Sequence, residues 1–133
     1  MTITQLGIVS VPITDPDVSI AFYVGVLGFE LIDDAAMGPT MRWGRVAPKG
    51  AETSITLVTW FPSMAPGSTK GLLLNTDALD EDIAMLTAAG IEVSDVSEEA
   101  WGRYVTFDDP DGNGLILRGA VSAEGGADST SSR

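Results

Sequence analysis

Three tryptophans, Trp43, Trp60 and Trp101, and two arginines, Arg45 and Arg103, are the residues of this chain best suited to hold a ligand. An indole offers a flat apolar platform to an aromatic ring and a negative ring face to a cation. Along a strand, side chains two apart share a face. Trp43 and Arg45 would therefore point the same way, and so would Trp101 and Arg103. Two arginines at related positions suit an anion, although ion pairing with the abundant acids competes for them. Packing in a core or a dimer interface is the competing use of the tryptophans.

The chemistry available to a catalyst is thin. The chain has no histidine and no cysteine, so imidazole bases, thiolate nucleophiles, disulfides and thiolate zinc sites are all absent. Ser10 and Thr56 have no evident base to activate them. Glu52 and Glu92 would serve as general bases only if buried. Asp109-Pro110-Asp111-Gly112-Asn113-Gly114 mimics the first half of a calcium loop, but the closing bidentate position falls on Ala120. Its flanks read as strands, so a hairpin turn is the better reading.

The elements that must position these residues come in two copies. Trp43-Gly44-Arg45 recurs as Trp101-Gly102-Arg103, a lag of 58 (101 minus 43). Asp15, Gly28, Phe29, Glu30 and Leu31 recur as Asp77, Gly90, Ile91, Glu92 and Val93, a lag of 62 (77 minus 15). A near-constant lag across a helix start, a helix end and the next strand points to a duplicated supersecondary unit. The expected fold is α+β: two βαβββ modules forming curved mixed sheets around a cleft.

In the first module, residues 1–60, Ile8 to Ile13 read as a strand. Pro12 cannot donate to a ladder and puts that strand at an edge or at its end. Asp15 or Asp17 should cap a helix with Val18, Phe22 and Val26 inward, and Gly28 should stop it. Phe29–Ile32, Met41–Ala47 and Ser54–Trp60 follow as strands, with a loop from Asp34 to Thr40. Residues 61–70, rich in Pro, Gly and hydroxyl groups, read as a linker. The second module, residues 71–120, opens with a strand over Gly71–Thr76. Asp77 or Asp80 should cap a helix with Leu79, Ile83 and Leu86 inward. Ile91–Val93, Arg103–Phe107 and Leu115–Leu117 supply its strands. Residues 121–133 carry no periodicity and read as a disordered tail.

At 133 residues the chain is long enough for one core without covalent staples. Its net charge is −12, with seven basic residues scattered along it. That argues against nucleic-acid binding, which needs clustered Lys and Arg. No apolar run approaches a membrane span, and Met1-Thr2-Ile3-Thr4 lacks the basic start of a secretory signal, so a cytoplasmic protein with no membrane partner is expected.

Ile13-Thr14-Asp15-Pro16-Asp17, Ala21-Phe22-Tyr23 and Val26-Leu27-Gly28-Phe29 together resemble the opening module of the vicinal oxygen chelate superfamily. Asp109-Pro110-Asp111-Gly112-Asn113-Gly114 resembles the hairpin near the end of its second module. That superfamily includes glyoxalases, extradiol dioxygenases and bleomycin-resistance proteins. The resemblance spans about residues 3 to 119 and implies a cleft, and many members are homodimers. It also implies metal ligands on the first and last strand of each module. Those positions fall on Ile8, Thr56, Gly71 and Ile116, none of which suits a metal beyond the single hydroxyl of Thr56.

The expectation is a small-molecule-binding protein without the family's metal site, sequestering a cationic or aromatic compound. The residues expected to line its cleft are Ile8, Trp43, Arg45, Thr56, Trp60, Gly71, Trp101, Arg103 and Ile116. The alternative is a lyase- or dioxygenase-like enzyme with a displaced or absent metal site, in which case a divalent metal would sit at a non-standard place. A third possibility is a vestigial cleft plugged by Trp and Met. A homodimer is expected in each case.

Overall fold

The computed structural model describes residues 1–36, 38, 41–60 and 62–120. β1 (Ile8–Pro12) leads into α1 (Pro16–Ile20), which runs on as a π-helical segment (Ala21–Val26). β2 (Glu30–Ala36), β3 (Arg42–Ala47) and β4 (Ser54–Val58) complete the first βαβββ module. β5 (Leu72–Asn75), α2 (Leu79–Ala88), β6 (Ser97–Glu99), β7 (Gly102–Asp108) and β8 (Gly114–Gly119) repeat the order. Each module forms one four-stranded mixed sheet, β1-β4-β3-β2 and β5-β8-β7-β6, in which the first and last strands pair in parallel. The fold is α+β. The tail expected beyond residue 120 lies outside the described residues.

The chain divides into two compact units. Unit 1 comprises residues 1–69 together with the turn 109–113, and unit 2 comprises 70–108 and the described chain from Gly114 onward. In unit 1, β1 stands at the sheet edge, where the missing N–H of Pro12 costs no ladder bond. Asp15 caps α1, its carboxylate accepting from Asp17 N at 3.0 Å. The helix then widens, with Leu27 N donating to Phe22 O across five residues. This changes which side is buried. Ser19, Phe22 and Tyr23 face the sheet, whereas Val18, expected inward, is half exposed. Tyr23 fills the widened turn and stacks edge-on to Phe22, with ring centroids 5.2 Å apart. The core it joins contains Val11, Ile13, Phe29, Val46, Ile55 and Leu57.

β2 extends through Asp33 and Asp34, where a loop was expected from Asp34. The sheet tolerates these charges because each has a partner on β3. Asp33 meets Arg45 at 2.7 Å and Asp34 meets Arg42 at 2.8 Å. Of the expected loop, Met37, Pro39 and Thr40 lie outside the described residues, as does Phe61 of the expected linker.

Unit 2 buries Leu79 and Leu86 of α2 along with Val105, Phe107, Leu115 and Leu117 of its sheet. Neither Asp77 nor Asp80 caps α2. The cap position is Ala78, whose N–H is taken by the hydroxyl of Thr76 at 3.0 Å. The strand expected at Ile91–Val93 is absent as well. Gly90, at φ +85°, turns the chain so that Ile91 N closes the helix end on Leu86 O. Pairing resumes at Ser94, which exchanges hydrogen bonds with Thr106, and β6 forms three residues later than Ser94.

Candidate functional site

Each sheet has one side under its helix and one side free of it. In unit 1, Gly44 of β3 lies 3.4 Å (from the position a Cβ would take) from Ile20 of α1, so the Arg42-Gly44-Val46 side faces the helix. Alternation puts Trp43 and Arg45 on the other side. Ladder partners extend that helix-free face to Ala35, Asp33, Ser54, Thr56, Ser10 and Ile8. Trp43 and Trp60 approach there with ring centroids 6.5 Å apart and planes tilted by 31°. Arg45 reaches both Asp33 and the hydroxyl of Ser54, the latter at 3.2 Å. Thr56, fully buried, shares a hydrogen bond of 3.2 Å with Ser10. Four expected residues thus lie on one sheet, Ile8, Trp43, Arg45 and Thr56, and Trp60, two residues past the end of β4 where the strand was expected to continue, packs against Trp43.

In unit 2, Gly119 faces Leu79 of α2, so Leu115, Leu117 and Gly119 form the helix side of β8. Ile116 and Arg118 alternate to the helix-free side, opposite Thr106 and Tyr104 of β7. Trp101 stacks flat on Tyr104, with centroids 4.8 Å apart and planes 18° from parallel. The guanidinium of Arg118 lies 5.9 Å over the Trp101 ring, and its Nε donates to Asn75 at 2.9 Å. Gly71 precedes β5, its N–H bonded to Gly114 O.

Arg103 departs from expectation. It pairs with Asp80 of α2 at 3.1 Å and with Glu98 at 3.7 Å, on the helix side. Trp101 and Arg103 therefore do not share a face. The cause is Gly102, whose φ of +140° breaks strand alternation between them. The two Trp-Gly-Arg copies are equivalent in sequence and not in structure. Sequence reasoning also passed over Tyr104, Arg118 and Asn75. Arg118 was within reach of it, since it is two residues beyond Ile116 on the same strand.

Glu52 and Glu92, carboxylates that would act as general bases only if buried, are both exposed. The groups whose acidity the structure moves lie elsewhere. Burial, then the charge and hydrogen bond of Asp109, push the Tyr23 phenol well above its ordinary value. The hydrogen bond from Arg42 holds Asp34 below the usual carboxylate range. Both groups lie on the helix side of the first sheet.

The Asp109–Asn113 turn is occupied by protein donors. Asp109 Oδ1 accepts from Asp111 N and Asn113 N, each at 2.9 Å. Its Oδ2 accepts from Tyr23 Oη at 2.9 Å and Asn113 Nδ2 at 2.8 Å. Asp111 accepts from Thr14 N, and Asn113 Oδ1 from Thr69 N. The oxygens that would have served calcium hold the turn in place instead.

The model of the Glyoxalase/Bleomycin resistance protein/Dioxygenase superfamily matches residues 5–117. The chain belongs to that superfamily. Among solved structures similar to this chain is that of TnmS3, an antibiotic binding protein from Streptomyces sp. CB03234. It is 46% identical with a TM-score of 0.85, covering 90% of this chain and 98% of that one. A superfamily member from Sphaerobacter thermophilus DSM 20745 is 32% identical with a TM-score of 0.81, over 88% and 98% of the two chains. YetH of Bacillus subtilis (strain 168) is 32% identical over 120 residues, 87% of this chain and 98% of YetH.

The resemblance leads one to expect metal ligands at the positions of Ile8, Thr56, Gly71 and Ile116. These residues do not fit a divalent metal. Three have no side-chain donor atom, and the hydroxyl of Thr56 is already bonded to Ser10. Among the described residues, no cluster of three or more His, Cys, Asp or Glu side chains has the geometry to hold one. No helix among them is long and apolar enough to cross a membrane.

Proposed function

We propose that this protein binds a small aromatic or cationic compound by stacking and holds it without chemistry and without a metal. The observation that carries this reading is the Trp43–Trp60 pair, two indoles 6.5 Å apart on the helix-free face of the first sheet. Beside them stand hydroxyls and a neutralised arginine rather than a nucleophile and base. Indoles in this arrangement give a planar ligand large contact area at low entropic cost. The likeness to TnmS3, an antibiotic binding protein, supports the same reading. So does the substitution of every expected metal ligand by a residue unable to serve. The family habit of pairing two copies makes a homodimer the expected assembly.

The test is a titration of the purified protein with a panel of planar aromatic compounds, following indole fluorescence, then recovery of the bound compound by mass spectrometry. Saturable quenching that Trp43→Ala and Trp60→Ala weaken, with the compound recovered intact, is the expected result. Recovery of a transformed compound would establish the enzyme alternative instead.

A further inference from the structure

Unit 2 carries a cation that no described residue neutralises. Arg42, Arg45 and Arg103 are each tied to at least one carboxylate within 4.0 Å. Arg118 is not: its partner is the neutral carboxamide of Asn75, bonded through Nε, and it makes no ion pair with any described residue. In a chain of net charge −12 a guanidinium without an acid among the described residues is unusual. The same side chain lies over Trp101, an indole 44% exposed and backed by Tyr104. A flat apolar surface and an uncommitted planar donor thus stand side by side on one sheet face.

We propose that Trp101, Tyr104 and Arg118 form a subsite for a planar aromatic compound bearing an anionic group, a carboxylate or a phenolate. The ring stacks on the indole and the anion meets the free Nη groups of Arg118. This rests on the reading of the protein as an aromatic binder and fixes the charge of what it binds. The chain's overall acidity would favour a cation, but that field is screened over about 8 Å at physiological ionic strength. At hydrogen-bond range the local guanidinium decides, because charge-assisted bonds to a carboxylate are short and roughly twice as strong as neutral ones. Asn75 contributes by holding Nε, which leaves the forked end of the guanidinium directed to the ligand.

Three matched probes test it: naphthalene-2-carboxylate, naphthalene-2-carboxamide and the naphthalene carrying a trimethylammonium group, each titrated by calorimetry against the full chain at two salt concentrations. The carboxylate should bind about tenfold more tightly than the amide, with the ammonium compound weakest and the preference shrinking as salt rises. Arg118→Met, which keeps an apolar cover on Trp101, should erase the preference while leaving amide binding intact. Arg103→Met, on the helix side, should leave the preference unchanged. Equal binding of all three, a stronger cation, or a preference that survives Arg118→Met would overturn the subsite while leaving the aromatic binder standing. Failure of all three probes to bind would overturn both readings. Circular dichroism of each variant separates loss of the site from loss of the fold.

Discussion

The phenol of Tyr23 donates to Oδ2 of Asp109 at 2.9 Å, a bond between residues 86 positions apart and buried on both sides. Tyr23 has no exposed surface, and Asp109 receives three further donors from its own turn. Asn113 adds a bond to Pro12 O at 2.9 Å, so the turn is anchored to β1 as well as to the helix. The Phe-Tyr pair and the Asp-Pro-Asp-Gly-Asn segment, two separate sequence signals, are thus two halves of one polar core.

Tyr23→Phe removes one of two donors to Asp109 Oδ2 and leaves a buried carboxylate oxygen less well satisfied. The expected loss is about 1–3 kcal/mol of unfolding free energy, read by urea denaturation. The alkaline limb of stability should change too. The folded phenol lies above its unfolded value, so its contribution is complete below about pH 10 and declines as pH rises beyond it. The Tyr23→Phe protein should lose stability less steeply there. In the native protein, phenolate absorbance from Tyr23 should appear only together with the loss of circular dichroism.

Gly102→Ala should be far more damaging than Gly44→Ala, despite their equivalent places in the repeat. A Cβ at Gly102 would sit 2.6 Å from Gly119 O, at a φ of +140° that alanine rarely adopts. A Cβ at Gly44 meets only the flexible end of Ile20, at 3.4 Å. A loss of about 1–3 kcal/mol is expected at Gly102 and a marginal change at Gly44, measured by thermal melting of both variants. Equal effects would mean that the two copies are conformationally alike.

Arg42 chelates Asp34 through two bonds, of 2.8 and 2.9 Å, and reaches Asp17 on α1 at 2.6 Å. The Asp34 carboxyl should therefore titrate at lower pH than a free aspartate, and carboxyl-carbon NMR should show it return upward in Arg42→Met. Because the folded value is depressed, the pair stabilises the protein above the ordinary aspartate range. That contribution is lost as pH falls through the folded value. An exposed pair of this kind should shift the melting temperature only slightly.

Adding zinc, nickel, manganese or iron should leave the melting temperature unchanged, and elemental analysis of tag-free protein should find no stoichiometric metal. A metal bound by the folded state raises stability by mass action. A reproducible rise with any one of them would therefore reveal a site away from Ile8, Thr56, Gly71 and Ile116.

Much of this protein was readable from its residues. The duplicated βαβββ order, the edge position of β1 and the faces of β3 follow from local rules: side-chain alternation, the missing N–H of Pro12 and the capping chemistry of Asp15. Those rules act within a few residues, so the sequence determines them alone. The tertiary structure decided what depends on distant partners. Asp33 and Asp34 remain in a strand because arginines on β3 meet them. The helix widens at Tyr23 where a buried carboxylate from residue 109 awaits the phenol. Gly102 accepts either sign of φ, and the carbonyl of Gly119 beside it suits only a residue without a side chain. That one choice sends Arg103 to the helix and leaves Trp101 beside Arg118, because a glycine carries no local preference strong enough to fix the direction of the chain.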